Sequence, residues 1–467
     1  MKTMLVTMCA LASLWATAAE VKVDFNAVTG PVKPVNGIDN DSSLFRQAAY
    51  RTAFNELCKR GQAVKVTTDG TPGFHAAAAV GKGTAAVMLA NDTDKEMPLK
   101  LDLGDWTVVQ AFITDAKRTG AEVALPAALP PRSFAVVTLG KVRLVQDVKG
   151  YNSWPMMQAI GKRLVCTYCR GKAHNITEGV RGVFARASDD GGRTWTPEVC
   201  VVNEPDQGES TIGKGLDENG AMLLWVRSWG KQGLHHDLYR TADGVKFELV
   251  TQLRLNPNPM QITDVFTVPG GGLVALWFAG YYKDDGTCSW GKITSADNGK
   301  TWKQETIEKG LKLADWPTEP SAAYLGNGRI IVLARTESGG KCQFQITSTD
   351  NGKTWKRTGT NITKINGTTP SLIYDKDTGL LYHYVYHRGP GLVKRRVVNA
   401  DYIFTHPMEW PDYEALASGS KIPVDSGNAN ATQIGKKHYI TYYSGKKPDT
   451  AIYITESDVS DFKPQAR

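Results

Sequence analysis

Three stretches of the sequence are near-copies of one another: SDDGGRTW at 188–195, SADNGKTW at 295–302 and STDNGKTW at 348–355. A weaker fourth copy, TADGVKF, stands at 241–247. The four starts are separated by 53, 54 and 53 residues, which is the length of one four-stranded propeller blade with its turns. The regular spacing therefore predicts a β-propeller in which each copy belongs to one blade.

Each copy has the composition of a turn rather than of a reaction centre. Its Ser or Thr and its Asp can bond to backbone amides of the turn, its Gly allows a left-handed backbone, and its Trp can bury its ring between strands. We therefore assign no catalytic role to Asp190, Asp297 or Asp350.

Strand pairs interrupted by turn residues surround these copies, and counting the pairs from residue 153 gives six blades. The predicted fold class is all-β, with a six-bladed β-propeller over 141–467. A small β-sandwich-like domain is expected over 20–140, because its strands do not share the period. This accessory domain is expected either to bind sugar or to pack against the propeller.

Residues 1–19 are typical of a secretory signal peptide, since an apolar run from Met4 to Trp15 is followed by the small-residue stretch ATAA. The protein is therefore expected to be secreted, to the periplasm or the extracellular space. No later segment reaches the roughly 18 apolar residues of a membrane helix, so no membrane span is expected. The formal net charge of +8 comes from scattered basic residues, which favours acidic ligands and gives no support for nucleic acid.

The repeated copies, with WPTEPSAAYLGNGRIIVLAR at 316–335 between two of them, resemble the Asp boxes of the sialidase (neuraminidase) superfamily. The resemblance spans the whole propeller. Asp boxes also occur in propellers that are not sialidases, so function has to be argued from the site. The resemblance implies that the first strand of each blade begins at a central funnel and that the second strand returns to it.

Counting by the repeat length, we expect one residue per blade at the end of the second strand, next to the funnel. These residues are Arg170, Arg227, Tyr281, Arg335, Arg388 and Tyr443. Arginines converging on one axis favour an anionic ligand, because the guanidinium fork matches a carboxylate. The starts of the first strands supply carboxylates and an amide: Glu209, Asp264, Glu319 and Asn430. His235 and His236 alternate on the third strand of the second blade, so one of them can point inward.

The resemblance also implies roles for single residues. Glu319 matches the family glutamate that activates a tyrosine nucleophile. Arg335 and Arg388 match two of the three arginines that hold the sialic-acid carboxylate. Arg170 matches an arginine that contacts the sugar ring.

Other parts of the family pattern are missing. The first arginine of the triad is expected in a YRIP-like motif, where this chain has YNSWP at 151–155. The position of the catalytic aspartate is held by Thr177, with His174 and Glu178 nearby. The position of the tyrosine nucleophile falls on Asn430 or the next residue. A hydrolase built on this pattern would need a rearranged catalytic set.

Together these patterns predict a secreted exo-acting, sialidase-like glycoside hydrolase that releases terminal sialic acid or a related acidic sugar from glycans or glycoproteins. The catalytic candidates are Glu319, Glu209, Asp264 and His236. The substrate-binding candidates are Arg335, Arg388, Arg170, Arg227, Tyr281 and Asn430. No metal or cofactor is expected. Two alternatives stay open: a non-catalytic glycan-binding propeller, and a hydrolase or lyase acting on uronic-acid polysaccharides.

Overall fold

The computed structural model divides the chain into two compact units, Met1–Leu139 and Gly140–Arg467. Of the predicted signal peptide, residues 1–17 lie outside the described part of the chain. The structure describes residues 18–31, 62–81, 84–104, 106–174, 181–270, 272–281, 286–337, 340–365, 367–388, 392–418, 427–446 and 448–458.

The described part of the N-terminal unit is all-β, as predicted. Its strands form one nine-stranded sheet that curls into a β half-barrel, rather than the two facing sheets of a sandwich. Alternation places Val21 and Val23 in the core while Lys22 and Asp24 face solvent. The strands are Ala19–Pro31, Gln62–Thr68, Phe74–Val80, Thr84–Asn91, Met97–Asp102, Thr107–Thr114, Ala121–Val123, Ala128–Leu129 and Ser133–Gly140.

The second unit contains six antiparallel sheets, which are the six predicted propeller blades. Blades 1 and 2 consist of Tyr151–Ile160, Arg163–Gly171, Gly182–Ser188 and Val199–Val202, then Gln207–Leu216, Met222–Gly230, His235–Thr241 and Glu248–Leu253. Blade 3 consists of Gln261–Ile262, Phe266–Thr267, Leu273–Ala279, Cys288–Ser295 and Lys303–Leu311. Blade 4 consists of Pro317–Gly326, Arg329–Thr336, Phe344–Ser348 and Lys356–Gly359.

Blade 5 consists of Ser371–Asp375, Leu380–His387, Leu392–Asn399 and Glu414–Ser418. Among the described residues of this unit, two short helices accompany the blades: a 3-10 turn over Leu313–Asp315 and an α-helix over Ala400–Thr405, whose first turn is capped by the Asn399 side chain. Blade 6 combines three late strands with the first strand of the unit: Gly427–Ile434, Lys437–Lys446, Asp449–Asp458 and Val142–Gln146.

The ring of blades is closed by pairing between the two ends of the unit. Val142–Gln146 lies antiparallel to Asp449–Asp458 and forms the outer strand of blade 6. A sheet made from both ends of the chain ties the first blade to the last and removes two open edges.

The Asp boxes form the turns that their composition predicts. In the first copy, Ser188 Oγ accepts the Gly192 amide at 2.8 Å, and Asp190 Oδ1 accepts the amides of Arg193 and Thr194 at 2.9 Å. The copies at 295–302 and 348–355 repeat the contact of Ser with the Gly amide and that of Asp with the Thr amide. The box carboxylates are therefore occupied by their own turns.

Side chains on the innermost strands join successive blades around the axis. Ser321 Oγ of blade 4 accepts the Leu372 amide of blade 5 at 3.0 Å, and Ser371 Oγ of blade 5 accepts the Ala431 amide of blade 6 at 2.8 Å. These bonds satisfy buried amides that no neighbouring strand reaches, and they fix the spacing of the blades.

The CxxC pair belongs to the core. Cys166 and Cys169 lie three residues apart on one strand of blade 1, so they face opposite sides of the sheet. Their sulfurs contact the hydroxyls of Thr441 and Thr211 respectively. Both thiols are free and fully buried, and burial raises the pKa of Cys166 to about 12. Two inert buried thiols fit this geometry better than a redox or zinc pair.

Candidate functional site

A cavity of about 520 Å³ lies where the innermost strands of the six blades converge, and every blade contributes to its wall. Its fixed-charge side chains come from blades 2 to 5. They are Lys214, Arg227, Asp264, Glu319, Arg335, Glu337 and Arg388.

The most connected group in this cavity is Arg335, at the end of the second strand of blade 4. Its Nη2 lies 3.1 Å from Glu319 Oε1 and also contacts Glu337 Oε1, while Nη1 donates to the Gly367 carbonyl at 2.8 Å. All three charged side chains are at most 19% exposed. Two carboxylates therefore share one guanidinium nitrogen on a single wall of the cavity.

Burial raises the pKa of Glu337, and the nearby Glu319 adds to the effect, whereas Arg335 and Arg388 oppose it. Neighbouring carboxylates disfavour simultaneous ionisation, so one of such a pair tends to hold its proton to higher pH. Glu337 is thus a carboxyl group whose proton can be retained at a pH where an ordinary glutamate has lost it.

Glu319 is aimed into the cavity by a local irregularity of its strand. A register shift between Thr318 and Pro320 leaves Glu319 as a bulge with φ +42°. The hydroxyl of Thr369, on blade 5, donates to Glu319 Oε2, and Asn428 Nδ2 donates to Thr369 Oγ1 at 3.2 Å. A chain of side chains from three blades therefore fixes the carboxylate.

The same irregularity recurs at two other cavity-lining positions, Trp154 (φ +49°) and Asn428 (φ +50°), each beside a register shift. A left-handed backbone costs a residue with a Cβ about 1 to 2 kcal/mol. Strand bulges are known to redirect side chains beside functional sites. Three such positions around one cavity indicate that the backbone fixes the direction of these lining side chains.

Two lining residues of the cavity, Lys214 and Asp264, form a polar network with Gln158 and Ser321, and we call these four residues the cavity floor. Lys214 Nζ lies 2.7 Å from Asp264 Oδ1 and 3.3 Å from Gln158 Oε1. Asp264 Oδ2 accepts the Ser321 hydroxyl at 3.2 Å and the Ala322 amide at 3.1 Å. Asp264, a predicted catalytic residue, thus joins blades 2, 3 and 4 structurally.

The remaining predicted residues in the cavity are Arg227, Arg388 and Asn430. The Arg227 guanidinium lies 5.5 Å from the centroid of the Trp229 ring. Arg388 packs against Gly427, where an added Cβ would come within 3.1 Å of its guanidinium nitrogens. Asn430 Oδ1 accepts the Met157 amide at 2.8 Å, so this side chain also ties blade 6 to blade 1.

Two predicted catalytic residues, Glu209 and His236, do not line this cavity. Glu209 is fully buried, its Oε1 accepts the Glu204 amide at 2.9 Å, and burial raises its pKa to about 7. The next residue, Ser210, lines the cavity instead, because adjacent strand residues face opposite sides. His236 is fully buried with Nε2 3.1 Å from the Pro259 carbonyl, and burial lowers its pKa to about 4.

Two predicted substrate-binding residues also lie outside the cavity. Arg170 pairs with Glu198 and donates to Asn152 Oδ1 at 2.9 Å, and it borders a separate recess on blade 1. Its charge is already matched by a carboxylate. Tyr281 is 66% exposed and does not line the cavity.

The structure adds residues that the sequence reasoning had not proposed. Glu337 stands two positions after Arg335, and this spacing alone places the two side chains on the same side of an extended chain. Lys214 lies between Gly213 and Gly215, where an added Cβ would come within 2.8 Å of backbone atoms of the next blade. The sequence already shows this lysine between two glycines in a predicted inner strand, and that pattern could have indicated a close contact between blades.

No cluster of three or more His, Cys, Asp or Glu side chains that could hold a metal ion occurs within the described ranges. In the same part of the chain, no helix is long and apolar enough to cross a membrane.

The chain is similar to one family of repeat domains and to several proteins of known structure. A family of BNR repeat-like domains matches residues 178–372. A protein of unknown function from Dyadobacter fermentans is 19% identical, with a TM-score of 0.53 over 68% of this chain and 99% of that one. The NanB sialidase from Streptococcus pneumoniae is 11% identical, with a TM-score of 0.55 over 86% of this chain and 89% of that one.

The Trypanosoma rangeli sialidase is 14% identical, with a TM-score of 0.50. The match covers 66% of this chain and 55% of the trypanosomal chain, which is little more than half of its length. No curated protein sequence matches the chain significantly. Taken with the six blades, these structural matches show that the second unit has the six-bladed propeller fold of those proteins.

Proposed function

We propose that this protein is a secreted glycoside hydrolase that releases a terminal acidic sugar, sialic acid or a related one, from glycans. The observation that carries the proposal is the pair Glu319 and Glu337 on one guanidinium nitrogen of Arg335, inside a cavity lined by further cations. Glycoside hydrolysis commonly uses a carboxylate as the base, and Glu319 is the carboxylate that we assign to this role.

The charge of the cavity supports an acidic substrate. Four permanent cations, Lys214, Arg227, Arg335 and Arg388, face three carboxylates. Arg227 and Arg388 line the cavity from blades 2 and 5. We assign these two arginines to the substrate carboxylate, since an arginine fork binds a carboxylate through two parallel hydrogen bonds.

Water is the attacking group in this proposal. Asn430 stands where the family resemblance puts a tyrosine nucleophile, and its amide oxygen is engaged with the Met157 amide. Glu319 is oriented by Arg335 on one oxygen and by Thr369 on the other. It acts as the base that takes a proton from the attacking water.

The test is sugar release by the purified protein from sialyllactose, sialylated mucin and glucuronate-terminated oligosaccharides, measured by chromatography. Glu319→Gln should reduce release at least about 100-fold while substrate binding, measured by calorimetry, persists. Arg388→Met should weaken binding. Glu305→Gln removes a solvent-facing carboxylate of blade 3 that lies outside the cavity, and it should behave as the wild type.

Two results would replace the proposal. Binding of acidic glycans without release of any sugar would make the protein a glycan-binding propeller. A product with the near-ultraviolet absorbance of an unsaturated uronic acid would make it a lyase. The secreted location rests on the predicted signal at 1–19, and fractionation of expressing cells tests it: a protein found only in the cytoplasm contradicts this part.

A further inference from the structure

We propose that His174, positioned by Tyr151, is the general acid of this site and protonates the departing sugar oxygen from the wall opposite Glu319. The inference rests on the proposed hydrolysis and deepens it. His174 follows the second strand of blade 1 and lines the cavity, whereas Glu319 and Glu337 belong to blade 4. In a closed ring of six blades, the first and the fourth stand across the axis from each other.

A second proton-transfer group is needed because of where the carboxylates lie. Hydrolysis requires a base on the side of the attacking water and an acid on the side of the departing oxygen. Glu319 and Glu337 both contact Nη2 of Arg335, so they lie on one wall and approach a bound sugar from one side. Among the described residues that line the cavity, His174 is the proton-transfer group on the facing wall.

The imidazole of His174 is exposed to the cavity, whereas its hydrogen-bond partner Tyr151 is buried. Its Nδ1 lies 2.5 Å from the hydroxyl of Tyr151, which is fully buried. Its ring meets the Tyr151 ring edge to face at 5.5 Å between centroids, and the Trp154 ring at 5.8 Å. An exposed titratable ring with a buried hydrogen-bond partner is oriented before any ligand arrives, because Tyr151 fixes one ring nitrogen and directs the other, Nε2.

Arg181 fixes the backbone on which His174 sits. It is 3% exposed, and its guanidinium donates to the Ala173 carbonyl and to Ser153 Oγ. The same group lies 4.5 Å from the centroid of the Trp154 ring. Arg181 is therefore a positioning residue, attached directly to the residue before His174.

Two further titratable or charged groups contact Tyr151: Tyr443, and Arg181, whose guanidinium lies 5.9 Å from the centroid of the Tyr151 ring. The Tyr151 hydroxyl lies 3.5 Å from that of Tyr443, toward which it can direct its proton. Nδ1 of a protonated His174 can then donate to Tyr151 Oη and keep its proton throughout.

The step balances with water as the only co-reactant. The bond between the anomeric carbon and the glycosidic oxygen breaks, and the electron pair goes to that oxygen, which takes the proton from His174 Nε2. A water oxygen bonds to the anomeric carbon and gives one proton to Glu319. The products are the free sugar and an alcohol. His174 is left neutral and Glu319 protonated, and exchange with solvent restores both.

The experiment compares two glycosides of the same acidic sugar, a 4-nitrophenyl glycoside and the corresponding lactoside. Nitrophenolate departs without a proton, whereas the sugar alcohol needs one. His174→Gln should lower kcat/KM for the lactoside about 100-fold or more and for the nitrophenyl glycoside less than about 10-fold. Tyr151→Phe should show the same selective loss to a smaller degree. The matched control is His406→Gln, which alters an exposed histidine that also contacts a tyrosine ring but lies outside the cavity.

Thermal unfolding of each variant separates a lost fold from a lost acid. Equal losses on both glycosides, or no loss, by a folded His174→Gln variant overturn the assignment of His174 while the proposed hydrolysis stands. The proposed function, and this inference with it, is overturned if the wild-type protein cleaves neither the nitrophenyl glycoside nor the lactoside of sialic acid or of glucuronic acid.

Discussion

Lys214 Nζ and Asp264 Oδ1, on neighbouring blades, form an ion pair of 2.7 Å in which the two side chains are only 8% and 16% exposed. The pair belongs to the cavity floor, where Asp264 also accepts two hydrogen bonds from blade 4. A charge held this far from solvent is stable only while its partner stays in place.

Removal of this lysine is expected to damage the fold. Lys214→Met leaves Asp264 buried without a cation, and the free energy of unfolding should fall by about 3 to 5 kcal/mol in urea titrations. Lys231→Met is the control, because the Lys231–Asp206 pair is exposed (78% and 57%) and should change the same quantity by less than about 1 kcal/mol. Similar losses from both variants would contradict a structural role for the floor.

Glu209 is expected to make stability depend on pH near neutrality. Its pKa in the folded protein is about 7, against 4.5 for an ordinary glutamate, because burial disfavours its charged form. Between these values the folded chain holds a proton that the unfolded chain has released. The free energy of unfolding therefore falls as pH rises from about 4.5 to about 7, by an amount on the order of 3 kcal/mol.

Glu209→Gln should remove this dependence. The variant's stability relative to the wild type should rise across the same pH range, as measured by urea unfolding at several pH values. Glu248→Gln, on an exposed strand end, should give a difference that does not change with pH. A pH-independent difference for Glu209→Gln would show that the buried carboxyl group is paired in a way that leaves its proton affinity ordinary.

Arg335 is expected to control the protonation of Glu337. Burial and Glu319 raise the pKa of Glu337, while the positive charge of Arg335 lowers it. Arg335→Met removes this opposing charge, so the pKa of Glu337 should rise further, as measured by NMR titration of its labelled carboxyl group. Arg335→Lys keeps the charge and should raise this pKa less. A lower pKa of Glu337 in the Arg335→Met variant would contradict this expectation.

The Asp boxes are expected to matter for stability and not for sugar release. Hydrogen bonds from the hydroxyl and amide of Thr301 lower the pKa of Asp297 to about 2. The contribution of its carboxylate to stability is complete above about pH 4 and is lost as pH falls toward 2. Asp297→Ala should lower the midpoint of thermal unfolding at neutral pH and leave kcat/KM unchanged. Lost activity at full stability would contradict a purely structural role.

The blades could be predicted from sequence because each Asp box marks a fixed place in a regular period. The turn-forming contacts of each box are local: Ser188 Oγ bonds to Asp190 and to the Gly192 amide, at most four residues away. Local hydrogen bonding and a repeat length are both visible in a sequence. The nine N-terminal strands form one curled sheet through pairings between distant segments, such as Ala19–Lys22 with Leu99–Asp102. Such pairings are not visible in a sequence.

The residues that line the cavity could be predicted only in part, because counting by the repeat length takes no account of register shifts within the strands. A shift of one residue turns a strand side chain to the opposite face. Glu319 reaches the cavity through a bulge at its own position. In blade 2 the register shift falls later, between Thr211 and Gly213, so Glu209 stays buried and Ser210 faces the cavity. Such shifts arise from packing between blades and leave no trace in spacing.

Closure of the propeller by Val142–Gln146 has a consequence for biosynthesis. This strand leaves the ribosome before every other strand of its unit, and its partner Asp449–Asp458 leaves last. Throughout translation the nascent chain therefore carries an unsatisfied strand edge, and a contact spanning about 300 residues along the chain is slow to form. A polypeptide truncated before Asp449 would keep that edge permanently open to other chains, which favours aggregation and marks it for degradation.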